Sequence, residues 1–108
     1  MEKKILEVLK EAGVPVYYIS RKSNSTFPCL VYSFRETFEE SSDDDEEITS
    51  YSIYINLYST GNFIDLKNTV KKILKKHDFQ KISIGIPVYD EELLCYELVL
   101  NYKYSLDA

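Results

Sequence analysis

Hydrophobic residues follow a helical period in two segments of the chain. Between Glu2 and Ala12 the apolar positions fall at i, i+1, i+3, i+4 and i+7, the spacing of one helix face. Gly13 predicts the end of this helix, because glycine readily adopts the left-handed conformation of a C-cap. Later, Asn62 with Asp65 three residues on is similar to a capping box. The apolar residues of the second predicted helix are Phe63, Leu66, Val70, Ile73 and Leu74.

Five other segments are rich in β-branched and aromatic residues or alternate between apolar and polar positions, which is typical of strands. They are Val14 to Ile19, Phe27 to Phe34, Tyr51 to Tyr58, Ile82 to Ile86 and Leu93 to Tyr104. Pro15 suits the start of an edge strand, where its missing N–H does least harm. A turn from Pro87 to Glu92 is predicted before the last strand. The predicted order is therefore α-β-β-β-α-β-β.

Each predicted helix has a single apolar stripe, and the third strand has one consistently apolar face. In that strand Tyr54 and Tyr58 share the opposite, half-polar face with Ser52 and Asn56. These patterns predict an α+β fold in which two helices pack on one face of an antiparallel or mixed sheet.

Length and composition suit one domain covering residues 1–108, since 44% of the residues are hydrophobic. Met1 leads directly into the first helix, without a signal-peptide apolar region or the roughly 20 apolar residues of a membrane span. We therefore expect a soluble, cytoplasmic protein. Cys29 and Cys95 both lie in apolar runs, where reduced thiols behave as small hydrophobic side chains.

Charge is concentrated in one short stretch from Glu39 to Glu47. Its nine residues carry seven carboxylates and no positive charge, whereas the whole chain has a formal net charge of −5. Like charges this close repel one another and are not buried without partners, so we expect a solvated, mobile loop at 39–47. The carboxylates are Glu39, Glu40, Asp43, Asp44, Asp45, Glu46 and Glu47. Their contiguous spacing, without a glycine, differs from that of a calcium-binding EF-hand loop.

Residues that support catalysis are scarce. The one histidine, His77, is predicted at the end of the second helix, where an imidazole can cap the last carbonyls. A nucleophilic pairing of His77 with Cys29 or Cys95 stays open, although no spacing favours it. The three glycines are isolated, which excludes a phosphate-binding glycine loop. We expect a protein that is not an enzyme and that has no cofactor and no metal site.

Ten tyrosines and a lysine-rich helix give limited support to nucleic-acid binding. The lysines on the outside of the predicted second helix are Lys67, Lys71, Lys72, Lys75 and Lys76. A pI near 4.9 argues against a nucleic-acid partner, because the acidic stretch repels a phosphate backbone. Tyrosines are favoured in strands and are also enriched where proteins dock on one another.

Four segments taken in order resemble a known protein family. They are Val14 to Tyr18, Thr26 to Tyr32, Tyr51 to Tyr58 and Tyr89 to Glu97. Together they are similar to the tail-terminator proteins of long-tailed bacteriophages and prophages, also called tail-completion or head-tail joining proteins. Cys29-Leu30 stands where the family often has Tyr-Ile, and Asn56 stands where it often has Asp. Neither difference alters the strand pattern.

The resemblance implies a small α+β subunit without an active site, which forms a ring of six copies. Such a ring caps the tail tube and then joins the tail to the head connector. The implied partners are further copies of the chain, the tail-tube protein and the connector. The implied locations are the cytoplasm of the bacterial host during assembly and the tail or neck of the virion.

Charge segregation suits the unlike surfaces that a head-to-tail ring requires. The candidate interface therefore comprises the seven carboxylates of 39–47 together with Tyr54, Tyr58, Lys67, Lys71 and Lys75. Two alternatives stay open. One is a head-completion or stopper adaptor of the phage neck. The other is an α+β domain whose outer tyrosines bind a small ligand or single-stranded nucleic acid.

Overall fold

A computed structural model of the chain describes residues 1–20, 27–38 and 48–105. Helix α1 spans Glu2–Lys10 and ends two residues earlier than predicted. Gly13 has a φ of 76°, which confirms the left-handed conformation expected after the helix. Helix α2 spans Phe63–Lys76, and its predicted N-cap is confirmed, because the Asn62 side chain accepts a hydrogen bond from the Asp65 N–H. In the described part of the chain, neither helix has the length and apolar character of a membrane span.

Six strands form one mixed sheet, which confirms the predicted α+β class. They are β1 Val16–Tyr18, β2 Cys29–Phe38, β3 Ile48–Ser59, β4 Gln80–Ile84, β5 Val88–Asp90 and β6 Cys95–Ser105. Neighbouring strands follow the order β1-β2-β3-β6-β4, with β5 also paired to β6. The β1–β2 pair is parallel and the other pairs are antiparallel. Strand β1 therefore lies at one edge, as Pro15 had suggested, and β4 with β5 forms the other.

Both helices pack on the same face of this sheet. Strand register places Leu30 of β2 beside Leu57 of β3, and Leu57 beside Leu98 of β6. These three side chains belong to one buried core that also contains residues of both helices. The helical members of this core are Ile5, Val8, Leu9, Val70, Ile73 and Leu74. The opposite face carries the residues of alternate parity, including Tyr54 and Tyr58.

The segment after α2 differs from the prediction. The predicted strand Ile82 to Ile86 and the turn after it are in fact β4, a short connection and a further strand, β5. The β4–β6 register shifts between Lys81 and Ser83, which interrupts the simple alternation of side chains. The Gly85 N–H donates to the Val99 carbonyl at 2.8 Å, and a Cβ on Gly85 would lie only 3.1 Å from that oxygen. The last strand begins at Cys95, two residues later than predicted.

Candidate functional site

The lysines of α2 are oriented by the apolar stripe of the helix. Val70, Ile73 and Leu74 are buried against the sheet. The polar side chains are consequently turned away from the core. Lys67 and Lys71 are half-buried and Lys75 is exposed, at successive spacings of four residues along one side of the helix.

A groove of about 640 Å³ lies between α2 and the beginning of β4. Its lining comprises Asn68, Lys71, Lys72, Lys75, Phe79, Gln80, Lys81 and Tyr102. Phe79 and Tyr102 are buried core residues, so the groove has an aromatic floor. Burial raises the pKa of the Tyr102 phenol above its ordinary value, which is already well above pH 7, so this ring carries no charge. The formal charge of the groove therefore comes from its four lysines, whereas Lys67 lies outside the lining.

Among the residues that the structure describes, those lining the groove include no carboxylate. Within residues 1–20, 27–38 and 48–105, the ion pairs are those of Glu11 with Lys76 and with His77. The four groove lysines thus have no carboxylate partner in the described part of the chain. Four ammonium groups around an aromatic floor attract an anionic ligand, and the attraction is strongest at low ionic strength.

Tyr54 and Tyr58 lie on the sheet face opposite the helices. Both are half-buried. Tyr54 is beside Asn101 of β6 in the register, and the Tyr58 ring lies 6.2 Å from the Phe27 ring. The sheet separates these tyrosines from the α2 lysines, so the predicted interface residues do not form one continuous site.

A second hollow, of about 360 Å³, borders Tyr58 on this face. It is lined by Ile19, Ser20, Val31, Tyr32, Ser33, Asn56 and Tyr58. The Asn56 side-chain amide donates to a Glu97 carboxylate oxygen at 3.0 Å, which ties β3 to β6 beside the hollow. Tyr54 is not part of this lining. Among the described residues that line the hollow there is no cationic side chain, in contrast to the α2 groove.

The predicted acidic interface, Glu39, Glu40, Asp43, Asp44, Asp45, Glu46 and Glu47, lies outside the described residues. Its position along the chain is nevertheless defined, because it connects Phe38 at the end of β2 to Ile48 at the start of β3. Phe38 and Ile48 pair in the β2–β3 ladder.

His77 has a different partner from the one predicted. Its Nε2 atom lies 2.6 Å from Glu11 Oε2, and the adjacent Lys76 donates to Glu11 Oε1 at 3.0 Å. Hydrogen bonds from Lys76, and then from His77, lower the pKa of the Glu11 carboxyl. The imidazole therefore joins the ends of the two helices instead of capping the carbonyls of its own helix. No sequence period indicates this contact, because its partners are 66 residues apart.

Sequence reasoning also missed an apolar margin along the outer edge of β4 and β5. Ile82 is 55% exposed, Ile86 is 85% exposed and Val88 is 62% exposed. Ile84, between them, packs on the core. The alternation of Ile82, Ile84 and Ile86 predicts a strand, but Ile86 lies beyond the end of β4 and the β4–β6 register shifts beside Ile82. At the other edge of the sheet, Tyr18 and Ile19 are also exposed.

Among the described residues, no three histidine, cysteine, aspartate or glutamate side chains lie close enough together to hold a metal ion. Cys29 and Cys95 are both buried.

Comparison with known proteins gives one informative result. No family model matches the sequence, and no curated protein matches it either. Among solved structures, the gp17 protein of bacteriophage SPP1 is similar in fold, with a TM-score of 0.58. The match covers 98% of this chain and 88% of that chain at 12% sequence identity. At this identity the similarity demonstrates a shared fold across nearly the whole chain.

Proposed function

We propose that this protein is a virion assembly subunit of a long-tailed bacteriophage, which caps the tail tube as a ring and joins the tail to the head connector. Its expected locations are the host cytoplasm during assembly and the tail or neck of the particle. The observation that carries the proposal is the nearly full-length similarity in fold to a bacteriophage protein. The family resemblance of four sequence segments supports it independently.

Two edges of the sheet support self-association of the subunit. Tyr18 and Ile19 are exposed at the β1 edge, and Ile82, Ile86 and Val88 are exposed at the β4–β5 edge. Apolar side chains at opposite edges suit a heterologous contact, in which one edge of each copy meets the other edge of the next. Such a contact closes into a ring when the rotation between copies is a whole fraction of a turn. We propose six copies.

Deleting the gene from the phage or prophage genome tests the role directly. Electron microscopy of the mutant lysate should show separate DNA-filled heads and unjoined tails, and expression of the wild-type gene from a plasmid should restore complete particles. A deletion mutant that still assembles infectious, joined particles would contradict the proposal.

A head-completion or stopper protein of the neck is the second candidate, and heads and tails purified from a wild-type lysate, which contains the protein, distinguish the two roles. A tail terminator should be bound to purified tails, whereas a stopper should be bound to purified heads. Immunogold labelling of both fractions with an antibody to the protein assigns the role. The genes flanking this one give a further check, because a tail-tube gene is expected immediately downstream of a terminator gene.

A further inference from the structure

We propose that the lysine groove between α2 and β4 is a binding site for an acidic polypeptide segment, namely the carboxylate-rich stretch 39–47 of a second copy of this chain. This inference rests on the proposed role as a self-assembling subunit. It assigns a ligand to a groove that the sequence did not predict, and a partner to the acidic stretch.

Charge complementarity is the first argument. Lys71, Lys72, Lys75 and Lys81 line the groove, and no other described residue of its lining is charged. The stretch 39–47 has seven carboxylates and no positive charge. Lysine and carboxylate groups attract strongly when partly removed from water, and the aromatic floor formed by Phe79 and Tyr102 lowers the local exposure to water.

Position in the sheet is the second argument. Gln80, at the start of β4, pairs with Lys103, and Ser50, near the start of β3, pairs with Ser105. The groove and the β2–β3 connection therefore lie at the same end of the sheet. Strand β4 is an edge strand. A neighbouring copy placed edge to edge with similar strand direction would bring its own 39–47 stretch beside this groove.

The exposed apolar margin is the third argument. Ile82 directly follows Lys81 of the groove and is 55% exposed. A partner seated at the β4 edge would cover Ile82 while its carboxylates reach the lysines. Single-stranded nucleic acid is the less suitable ligand, because it is negatively charged along its whole length and the chain has a net charge of −5. In a second copy, seven negative charges lie in residues 39–47 and the remaining residues sum to +2.

A charge-reversal experiment with two variants tests the contact. The groove variant is Lys71→Glu/Lys75→Glu, and the acid variant is Asp43→Lys/Asp44→Lys/Asp45→Lys. The matched control is Lys3→Glu/Lys10→Glu, which reverses two exposed lysines of α1. Circular dichroism first verifies that every variant is folded. All substituted lysines are exposed or half-buried, so the folded state should be retained.

Sedimentation velocity at about 20 mM salt, where the Debye length is roughly 20 Å, then gives the oligomeric state. Each variant alone should be monomeric, whereas an equimolar mixture should form a 1:1 dimer. In that mixture the intact groove of one variant meets the intact acidic stretch of the other. The control protein alone should self-associate to the same extent as wild type, because its groove and its acidic stretch are both intact. Raising the salt to about 0.5 M should increase the dissociation constant of the dimer at least tenfold, because salt screens the attraction between the lysines and the carboxylates.

Three results would overturn the inference. A monomeric mixture would show that the groove does not bind the stretch of another copy, including the case in which each chain binds its own stretch. Self-association of the groove variant at the wild-type level would show that the lysines are not the site. The third result comes from fluorescence anisotropy with a short single-stranded oligonucleotide. If wild type binds the oligonucleotide and the groove variant does not, the groove is a site for nucleic acid.

The outcome is independent of particle assembly. A monomeric mixture together with unjoined heads and tails in the gene deletion would refute the groove contact and leave the assembly role intact. A 1:1 dimer in the mixture, together with normal, joined particles from the deletion mutant, would support the groove contact and refute the assembly role.

Discussion

The His77 Nε2 atom lies 2.6 Å from Glu11 Oε2, and this contact joins the end of α2 to the residue that follows α1. Lys76 donates to the other oxygen of the same carboxylate at 3.0 Å. Glu11 is therefore shared by two cationic or hydrogen-bonding side chains from the last turn of α2. The contact fixes how the two helices lie beside each other at this end of the protein.

The Glu11 contact predicts a specific pH dependence of stability. The hydrogen bonds from Lys76 and His77 lower the pKa of Glu11. Because folding lowers this pKa, the ionised carboxylate stabilises the folded state above the ordinary glutamate pKa of about 4.3. This stabilisation is lost as the pH falls through the lowered value. The free energy of unfolding of wild type should thus exceed that of Glu11→Gln at pH 7, and the difference should vanish in acid.

Urea denaturation of both proteins at several pH values measures this difference. Glu7→Gln is the matched control, since Glu7 is an exposed residue of α1 without an ion pair in the described part of the chain. The free energy of unfolding of Glu7→Gln should differ little from that of wild type. This small difference should not change with pH in the way expected for Glu11→Gln. A Glu11→Gln difference that persists unchanged into acid would contradict the assignment.

Isoleucines at two positions should differ sharply in their effect on stability. Ile55 is completely buried in the centre of β3, whereas Ile86 is 85% exposed beside the β4–β5 edge. Ile55→Ala should lower the free energy of unfolding by about 2–5 kcal/mol, because it leaves a cavity in the core. Ile86→Ala should change it by less than about 0.5 kcal/mol. Thermal or urea unfolding provides the values, and similar losses at both positions would refute the assigned burial.

The N-cap of α2 should contribute measurably to stability. The Asn62 side chain accepts from the Asp65 N–H at 3.3 Å and donates to the Asp65 carboxylate at 2.7 Å. Asn62→Ala should cost about 1 kcal/mol, whereas Asn62→Ser should retain most of the capping effect. Asn68→Ala, on an exposed position of the same helix, serves as the control and should be neutral or slightly stabilising. An equal loss in the free energy of unfolding for Asn62→Ala and Asn68→Ala would contradict the role of Asn62 as the N-cap of α2.

Carboxylates of the acidic stretch should be required for assembly and not for folding. Replacing all seven with Ser and Asn should leave the unfolding transition of the protein unchanged but abolish the joining of heads to tails. A smaller comparison uses Asp43→Asn/Asp44→Asn/Asp45→Asn against Glu7→Gln/Glu91→Gln/Glu92→Gln, three exposed carboxylates elsewhere. Plaque counts and electron microscopy measure the outcome. Unchanged infectious assembly with all seven replaced would show that the charge has no role in joining.

Local patterns predicted the parts of this fold that local forces determine. The Asn62 cap was predicted because its hydrogen bonds span only three residues. The buried face of β3 was predicted because Ile53, Ile55 and Leu57 alternate along one strand. Strand β5 was missed, because its three residues are held by pairing with β6 and not by any preference of their own.

The candidate site was predicted only in part, for the same reason. Lys71 and Lys75 were identified from the helical period of α2. Lys81 was not, because it reaches the groove only when β4 pairs with β6 beside the helix. The tyrosines were placed on the correct face, but their separation from the lysines follows from the position of the helices on the other side of the sheet.

The sequence by itself determined the α+β class, the two amphipathic helices, the concentration of negative charge at 39–47 and the pairing of apolar faces. These properties depend on the period of side chains along a few turns or strands. Only the tertiary structure decided which distant residues lie together: His77 contacts Glu11, Lys81 lines the same groove as Lys71, and Ile86 is left exposed to solvent. Such contacts depend on strand order and register, which are set by the packing of the whole chain and have no counterpart in a local pattern.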